Sequence, residues 1–259
     1  MAQAQLGVMD WGIGGLTVVQ ALRRAGCTAN VVYLSDAGYP PYGKVARPVL
    51  TARLAEVAAW MGRRGVQQVL VACNAASTAL PQDVWTVELP EGGRVALHSI
   101  IPAALHSVQQ ARPFRALGVI GGEGTIGSGL YVQRLRELGI QAHAAVAQPL
   151  SALVEAGDLD GEATRAAVAA ILSRLPADLD ALLLACTHYP ALAGVFAHLA
   201  PGVRLIDPAV AMAQGQWPSG QSRLQFWTTG SAQQSMRSAH LAFGLVLQDA
   251  GQVPLDLGN

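Results

Sequence analysis

Short apolar runs alternate with longer amphipathic segments along most of this chain. The apolar runs predict eight strands: Leu6–Met9, Val31–Leu34, Val69–Ala72, Arg94–Leu97, Leu117–Ile120, Ala142–Ala147, Ala181–Ala185 and Val203–Ile206. The amphipathic segments predict helices at Leu16–Ala25, Pro48–Arg63, Ile126–Leu138, Gly161–Leu175 and Tyr189–Leu199. Strands that alternate with helices indicate βαβ units, and almost wholly apolar strands fit parallel sheets buried on both faces. The pattern therefore predicts the α/β fold class.

Two parts of the chain resemble each other. Leu6-Gly7-Val8 precedes a glycine-rich turn, as Leu117-Gly118-Val119 does, and the segment 70–74 resembles 183–187 at nearly the same offset. Two independent matches at one offset are hard to obtain by chance. We therefore predict two similar, mainly parallel-sheet lobes related by a pseudo-twofold axis.

The repeat also predicts how the chain divides. Residues 1–97 with 213–259 would form the first lobe, and residues 98–212 the second. In the tail, Phe226–Thr229 predicts one more strand and Ser231–Leu247 a last helix. Ligands bind at the carboxyl ends of strands in open α/β sheets, so we expect the active site between the lobes.

Composition narrows the classes of function. About half of the 259 residues are apolar, 13% are charged and the formal net charge is zero, which argues against disorder and nucleic-acid binding. No apolar stretch is long enough to span a membrane, and the N-terminus lacks the pattern of a secretory signal. We expect a cytoplasmic protein whose three cysteines stay reduced. Without a Cys-x-x-Cys pair or histidines at ligand spacing, no metal is expected.

Two of the cysteines occupy equivalent places in the repeat. Cys73 and Cys186 each follow an apolar strand and precede small polar residues, at a turn where a helix N-terminus favours thiolate. A single buried cysteine is often only a small apolar residue, and Cys27, which has no counterpart in the repeat, is interpreted in that way. Two opposed thiols suit racemisation, which removes a proton from one face of a carbon and returns one to the other.

Seven segments carry a resemblance to a known family. They are Gly7–Asp10 with Gly12–Thr17, Ser35-Asp36, Pro41–Gly43, Ala72–Asn74 with Ala76-Ser77, Gly124–Ile126 with Ser128–Tyr131, Leu153–Gly157 and Cys186–Pro190. Each is weak alone, but together and in this order they make the sequence similar to the aspartate/glutamate racemase family, and most like its glutamate racemases.

The resemblance implies two α/β lobes with the site between them and no cofactor. It implies that Cys73 and Cys186 are the acid/base pair, that Asp10 assists Cys73, and that Glu155 and His188 assist Cys186. The substrate would be a small amino acid whose backbone binds Asn74, Thr125 and Thr187, with Asp10, Trp11 and Ala75 nearby. Its distal carboxylate would bind at Pro41, Tyr42 and Gly43. A homodimer is also implied.

Each supporting residue has a simpler structural interpretation. Asp10 and Thr125 are well suited to cap the helices that follow them. His188 could be satisfied by the backbone, Glu155 could lie at a solvated helix end, and Tyr42 could be only a turn aromatic.

Two residues depart from the family pattern. Trp11 stands where a serine is usual after Asp10, and Ala75 stands where a threonine is usual after Asn74. Each lost hydroxyl removes a hydrogen bond worth about 1.5–3 kcal/mol when the partner is charged. Three functions remain open. The first is racemisation of glutamate, supplying D-glutamate for peptidoglycan; the second is racemisation of another amino acid such as aspartate; the third is ligand binding or regulation without turnover.

Overall fold

Eleven strands form two separate sheets in the part of the chain that the structure describes. This computed structural model covers residues 5–257, so positions 1–4 and 258–259 of the predicted first lobe lie outside the described residues. The strands are β1 (Gln5–Asp10), β2 (Asn30–Ser35), β3 (Val66–Val71), β4 (Val84–Glu88), β5 (Arg94–Ser99), β6 (Leu117–Gly121), β7 (Ala142–Val146), β8 (Ala181–Ala185), β9 (Arg204–Ile206), β10 (Leu224–Thr228) and β11 (Ala250–Gln252).

The two sheets share one order of strands. The larger sheet runs β11-β10-β2-β1-β3-β5-β4 and the smaller runs β7-β6-β8-β9. The order β2-β1-β3-β5 therefore recurs as β7-β6-β8-β9, as the sequence repeat requires. Neighbouring strands are parallel, except that β4 pairs antiparallel with β5. The predicted α/β class with mainly parallel sheets is confirmed.

Helices connect the strands on both sides of each sheet. They are α1 (Leu16–Arg24), α2 (Arg47–Gly62), α3 (Asn74–Ala79), α4 (Ile101–Gln110), α5 (Glu123–Gly127), α6 (Leu130–Glu137), α7 (Leu150–Ala156), α8 (Glu162–Leu172), α9 (Ala193–Leu199), α10 (Pro208–Met212) and α11 (Ala232–Phe243). Short 3₁₀ turns span Tyr42–Lys44 and Tyr189–Leu192. Among residues 5–257, no helix is both long and apolar enough to cross a bilayer.

The structure corrects several predicted boundaries. The helix predicted at Ile126–Leu138 breaks at Gly129, whose φ of +68° is left-handed and which an L side chain would strain, so α6 begins at the next residue. The helix predicted from Ser231 to Leu247 ends earlier, because Gly244 takes a left-handed conformation after α11. Strand β4 was not predicted, since its residues alternate between exposed and half-buried and form no apolar run.

A continuous apolar core spans both sheets. Val8 and Tyr33 of the larger sheet belong to the same buried cluster as Ile120 and Leu182 of the smaller one. Helix α10 packs against both α1 and α4, and α11 packs against α7. The two sheets are therefore joined by shared packing as well as by the chain, and each sheet with its surrounding helices is called a lobe.

A buried ion pair fixes the loop after β2. Asp36 is fully buried and Arg53 of α2 is 3% exposed, and they form two bonds, Nη2 to Oδ1 at 2.7 Å and Nε to Oδ2 at 2.9 Å. The same carboxylate accepts hydrogen bonds from the hydroxyls of Tyr42 at 2.6 Å and Thr229 at 2.8 Å. Because this buried charge is fully paired, it ties β2, α2, the first 3₁₀ turn and the end of β10 together.

Replacing Arg53 by methionine is expected to lower the free energy of unfolding by about 3–5 kcal/mol, because it leaves the Asp36 carboxylate buried without its counter-charge. Urea denaturation at neutral pH measures the change. The matched control is Arg134→Gln, which breaks a partly exposed pair with Asp83 and should cost less than about 1 kcal/mol. Equal effects in the two variants would contradict the structural role of the buried pair.

Candidate active site

Two thiols face one cavity between the lobes. Cys73 lies just after β3 and directly before α3. Cys186 directly follows β8, and Thr187 and His188 separate it from the second 3₁₀ turn. Both line a cavity of about 120 Å³. The predicted residues that line it are Asp10, Trp11, Pro41, Tyr42, Gly43, Cys73, Asn74, Ala75, Thr125, Cys186, Thr187 and His188. Glu155 lies behind His188, outside this cavity.

A hydrogen-bonded chain leads from Glu155 to Cys186. The Nε2 atom of His188 lies 2.8 Å from Oε1 of Glu155, and its Nδ1 atom lies 3.8 Å from the Cys186 sulfur. Burial alone would lower the pKa of His188, but its interactions with the Cys186 sulfur and the Glu155 carboxylate outweigh burial and raise that pKa well above its ordinary value. A protonated imidazole therefore lies beside the Cys186 sulfur.

The Glu155 carboxylate is ionised in the same chain. Burial alone would raise its pKa, but the hydrogen bonds from His188 and from the backbone N–H of Ile13 lower that pKa below its ordinary value. The simpler interpretations of Glu155 and His188 are therefore wrong: the carboxylate is not a free helix end, and the imidazole bonds to side chains on both of its nitrogens.

Cys73 lies beside a carboxylate and not beside an imidazole. Burial raises the pKa of this thiol well above its ordinary value, and the neighbouring Asp10 carboxylate raises it further. The prediction that its turn favours thiolate is wrong for Cys73, because burial and a nearby negative charge outweigh the backbone N–H of Ala76. Cys73 is therefore held in its protonated thiol form.

Asp10 links the first lobe to the second. Its Oδ2 accepts a hydrogen bond of 2.7 Å from the hydroxyl of Thr187, and its Oδ1 accepts one of 2.7 Å from the backbone N–H of Trp11. Burial raises the pKa of Asp10. Asp10 does not cap α1, which begins after Gly15 without a side-chain cap.

The glycine-rich turn after β1 is shaped by contacts with the opposite lobe. A Cβ on Gly12 would collide with the Glu155 carboxylate, and a Cβ on Gly14 would collide with Thr187 and His188. The Tyr33 hydroxyl fixes the turn by donating a hydrogen bond of 2.8 Å to the carbonyl of Gly12. Glycine is needed here because the side chains of Glu155, Thr187 and His188 approach the backbone itself.

Asn74 presents an unused donor to the cavity. Its Oδ1 accepts a 2.5 Å hydrogen bond from the hydroxyl of Tyr131, while its buried Nδ2 has no hydrogen-bond partner among the described residues. A buried amide N–H without a partner is costly unless a ligand supplies one. Tyr131, which orients this amide, was part of the family motif but was not predicted as a site residue. Thr125 does not cap α5, whose cap is Gly122.

The loop with Pro41, Tyr42 and Gly43 forms another wall. Tyr42 is 2% exposed and its hydroxyl is bound to Asp36, so it is more than a turn aromatic. Gly43 lies against Gly124 of α5, where a Cβ on Gly124 would come within 2.6 Å of the Gly43 Cα. The sequence showed Gly124 in the family motif, but the backbone contact across the lobes could not be read from it.

The departures from the family pattern also lie at the cavity. Trp11 lines it with its side chain half-buried, and its indole N–H donates a 2.8 Å hydrogen bond to the carbonyl of Tyr39. Ala75 lines it without any polar side-chain group.

The arrangement as a whole can move one proton from a carbon to a thiolate and another from a thiol to the same carbon. Within residues 5–257, no group of three or more His, Cys, Asp or Glu side chains could hold a metal ion.

Comparison of the sequence with known proteins agrees with this chemistry. The profile of the Asp/Glu/Hydantoin racemase family matches residues 6–215. A glutamate racemase from Thermus thermophilus is 38% identical over 82% of this chain and 78% of its own length. A glutamate racemase from Aquifex aeolicus is 30% identical over 93% of this chain and 94% of its own length.

Solved structures show the same fold. Glutamate racemase from Thermus thermophilus in complex with β-chloro-D-alanine has a TM-score of 0.83 at 31% identity, covering 98% of both chains. Glutamate racemase from Aquifex pyrophilus has a TM-score of 0.76 at 27% identity, covering 96% of this chain and 98% of its own. The family resemblance predicted from the seven sequence segments is confirmed.

Iodoacetamide at about pH 7 is expected to modify Cys186 before Cys73. Cys73 is buried with a raised pKa, whereas Cys186 is half-exposed beside a histidine of raised pKa. Replacing His188 by glutamine should slow the modification of Cys186 by about tenfold or more. Peptide mass mapping over time measures both rates.

The matched control for this experiment is His98→Gln, because His98 lies in β5 and does not line the cavity. It should leave the rate at Cys186 unchanged. Modification of Cys73 ahead of Cys186 in the unaltered protein would refute the assigned protonation states.

Proposed function

Because the chain belongs to the Asp/Glu/Hydantoin racemase family, we propose that it is an isomerase that interconverts L- and D-glutamate. The observation that carries the proposal is the pair of thiols, Cys73 and Cys186, which stand at equivalent strand ends of the two sheets and line one cavity. Racemisation needs an acid and a base on opposite faces of the α-carbon, and two cysteines supply both without a cofactor.

The proposed reaction moves two protons. The Cys186 thiolate removes the α-proton from one face of glutamate, and the electron pair left on the carbon is shared with the α-carboxylate. The Cys73 thiol then donates its proton to the opposite face, which inverts the configuration. Cys73 ends as thiolate and Cys186 as thiol, so the reverse reaction uses the same groups with exchanged roles. His188 and Glu155 stabilise the thiolate form of Cys186, and Asp10 favours the protonated form of Cys73.

Substrate binding is proposed to use the polar groups that face the cavity. The unpaired Nδ2 of Asn74 is suited to donate to the α-carboxylate, and the oxygens of Asp10 and Thr187 are suited to the ammonium group. Thr125 would complete the contacts to the amino-acid backbone. The distal carboxylate would lie against Pro41, Tyr42 and Gly43. Lys44, the only lysine of the chain, lines the same cavity and adds a positive charge there.

The cellular setting is proposed from the chemistry and the family. Thiols that act as acid and base must stay reduced, which the cytoplasm provides, and the structure describes three free cysteines. D-glutamate made there would serve peptidoglycan synthesis. A homodimer is the assembly we expect.

A second candidate is racemisation of another amino acid, such as aspartate. It is favoured by Trp11 and Ala75, which offer the substrate an indole face and a methyl group at positions where the family usually has hydroxyls. A panel of amino acids, assayed by circular dichroism, separates the two candidates. A preference for aspartate over glutamate in kcat/KM would replace glutamate as the proposed substrate.

Proton NMR in deuterated water with L-glutamate tests the proposal. The α-proton signal should disappear with the unaltered protein, and Cys73→Ala or Cys186→Ala should each slow racemisation by roughly 10³-fold, because each removes the acid or the base. Cys27→Ala is the matched control, since Cys27 does not line the cavity, and it should retain activity.

Full activity in either active-site variant would disprove the two-thiol mechanism. If the unaltered protein gives no exchange with glutamate or with any amino acid of the panel but still binds one of them, the third function, binding without turnover, is correct.

The pH profile follows from the raised pKa of Cys73. This group is needed in its protonated form, and its pKa lies well above the ordinary thiol value of 9.0, so deprotonation begins only at strongly alkaline pH. In the direction in which Cys73 donates, kcat/KM should not fall between about pH 7 and about pH 9.

Replacing Asp10 by asparagine removes a negative charge beside Cys73 and lowers the pKa of that thiol, so the alkaline decline should move to lower pH. Initial rates from each enantiomer across the pH range measure both profiles. An alkaline limb at the same pH in both proteins would contradict the assigned role of Asp10.

A further inference from the structure

A second, larger cavity adjoins the one that holds the thiols. It measures about 530 Å³, against about 120 Å³ for the first. Five residues line both cavities and therefore border the space between them: Trp11, Pro41, Lys44, Gln148 and Ser151. Trp11 has the largest side chain of the five, so it forms the main part of the boundary.

Hydrogen bonds hold both the backbone and the side chain of Trp11. Its backbone N–H is bound to Asp10 at 2.7 Å, and its indole N–H is bound to the carbonyl of Tyr39 at 2.8 Å. Tyr39 lies in the loop that the ion pair of Asp36 and Arg53 holds, with the Arg53 guanidinium 4.7 Å from the Tyr39 ring centroid. The indole is thereby attached to a rigid loop and cannot turn aside without breaking a hydrogen bond.

The second cavity has polar walls. Ser35 lies at its inner side, and its buried hydroxyl has no hydrogen-bond partner among the described residues. Ser231 and Gln234 from the start of α11 also line it, as does Lys44. Glu155 also lines this cavity, but its carboxylate is already paired with His188. Ser231, Gln234 and Lys44 can donate to a carboxylate, so a longer dicarboxylic amino acid would find suitable partners if it could extend past Trp11.

We propose that Trp11 is a specificity-determining residue that limits the length of the substrate side chain by separating the thiol cavity from this second cavity. The inference rests on the proposed racemisation of glutamate. With the indole in place, a side chain of the length of glutamate ends at the loop of Pro41–Gly43. Without it, the two cavities merge, and a dicarboxylic amino acid with one more methylene group can place its distal carboxylate among the polar groups of the second cavity.

The test compares glutamate with 2-aminoadipate, which is longer by one methylene group. In Trp11→Ala, the ratio of kcat/KM for 2-aminoadipate to kcat/KM for glutamate should rise by roughly tenfold or more over that of the unaltered protein. Trp11→Leu, which keeps apolar packing but shortens the wall, should show a rise in the same direction. Exchange of the α-proton for deuterium measures both substrates in each protein.

Trp11→Phe is the matched control, because it keeps an aromatic ring at this position while it removes the hydrogen bond to Tyr39. Its ratio should change by less than about threefold. An unchanged ratio in both Trp11→Ala and Trp11→Leu, with the folded state verified by urea denaturation, would overturn the proposal. So would an equal rise in Trp11→Phe, since the hydrogen bond and not the wall would then set the limit.

The proposed function is tested separately by the activity of the unaltered protein on glutamate. If that activity is absent, calorimetric affinities for the same two amino acids in the same variants replace kcat/KM. A rise of the affinity ratio in Trp11→Ala but not in Trp11→Phe supports the partition, and an unchanged ratio refutes it.

Discussion

Two hydrogen bonds between the lobes control the chemistry of this site. Thr187 of the second lobe donates to Asp10 of the first, and Ile13 of the first lobe donates to Glu155 of the second. Asp10 raises the pKa of Cys73, and Glu155 raises the pKa of His188 beside Cys186. Each thiol thus depends on a carboxylate whose position the opposite lobe fixes. Contact between the two lobes therefore fixes the carboxylates that set the charge around each thiol.

The repeat places the two cysteines at equivalent positions, but the residues next to them differ in charge. Both cysteines stand at the end of equivalent strands, yet Cys73 has a carboxylate nearby and Cys186 has an imidazole. Burial and a negative neighbour keep the first as a thiol, and the raised pKa of His188 provides a positive charge for the second. A site built from two identical halves would place two equal thiols together and would have to break their equivalence by another means.

The sequence predicted what depends on local pattern and on the repeat. The α/β class with mainly parallel sheets follows from the apolar runs, and the family resemblance named the twelve predicted residues that line one cavity. It did not predict the raised pKa of Cys73, because burial and the distance to Asp10 are tertiary properties. The contact between Gly43 and Gly124 and the bond from Tyr131 to Asn74 were missed for the same reason. The orientation of the Trp11 side chain was not predicted either, because the hydrogen bond from its indole to the carbonyl of Tyr39 is a tertiary contact.

The path of the chain has a consequence for how the protein is made on the ribosome. The larger sheet is interrupted after β5, and the whole smaller sheet is completed before β10 and β11 are synthesised. Until those last strands emerge, β2 is an unpaired sheet edge, which is open to association with other chains. Asp36 meanwhile lacks the hydroxyl of Thr229, one of its partners in the finished structure. The Asp36 carboxylate and the loop around Tyr42, which is bound to it, therefore reach their final setting only when the last part of the chain arrives.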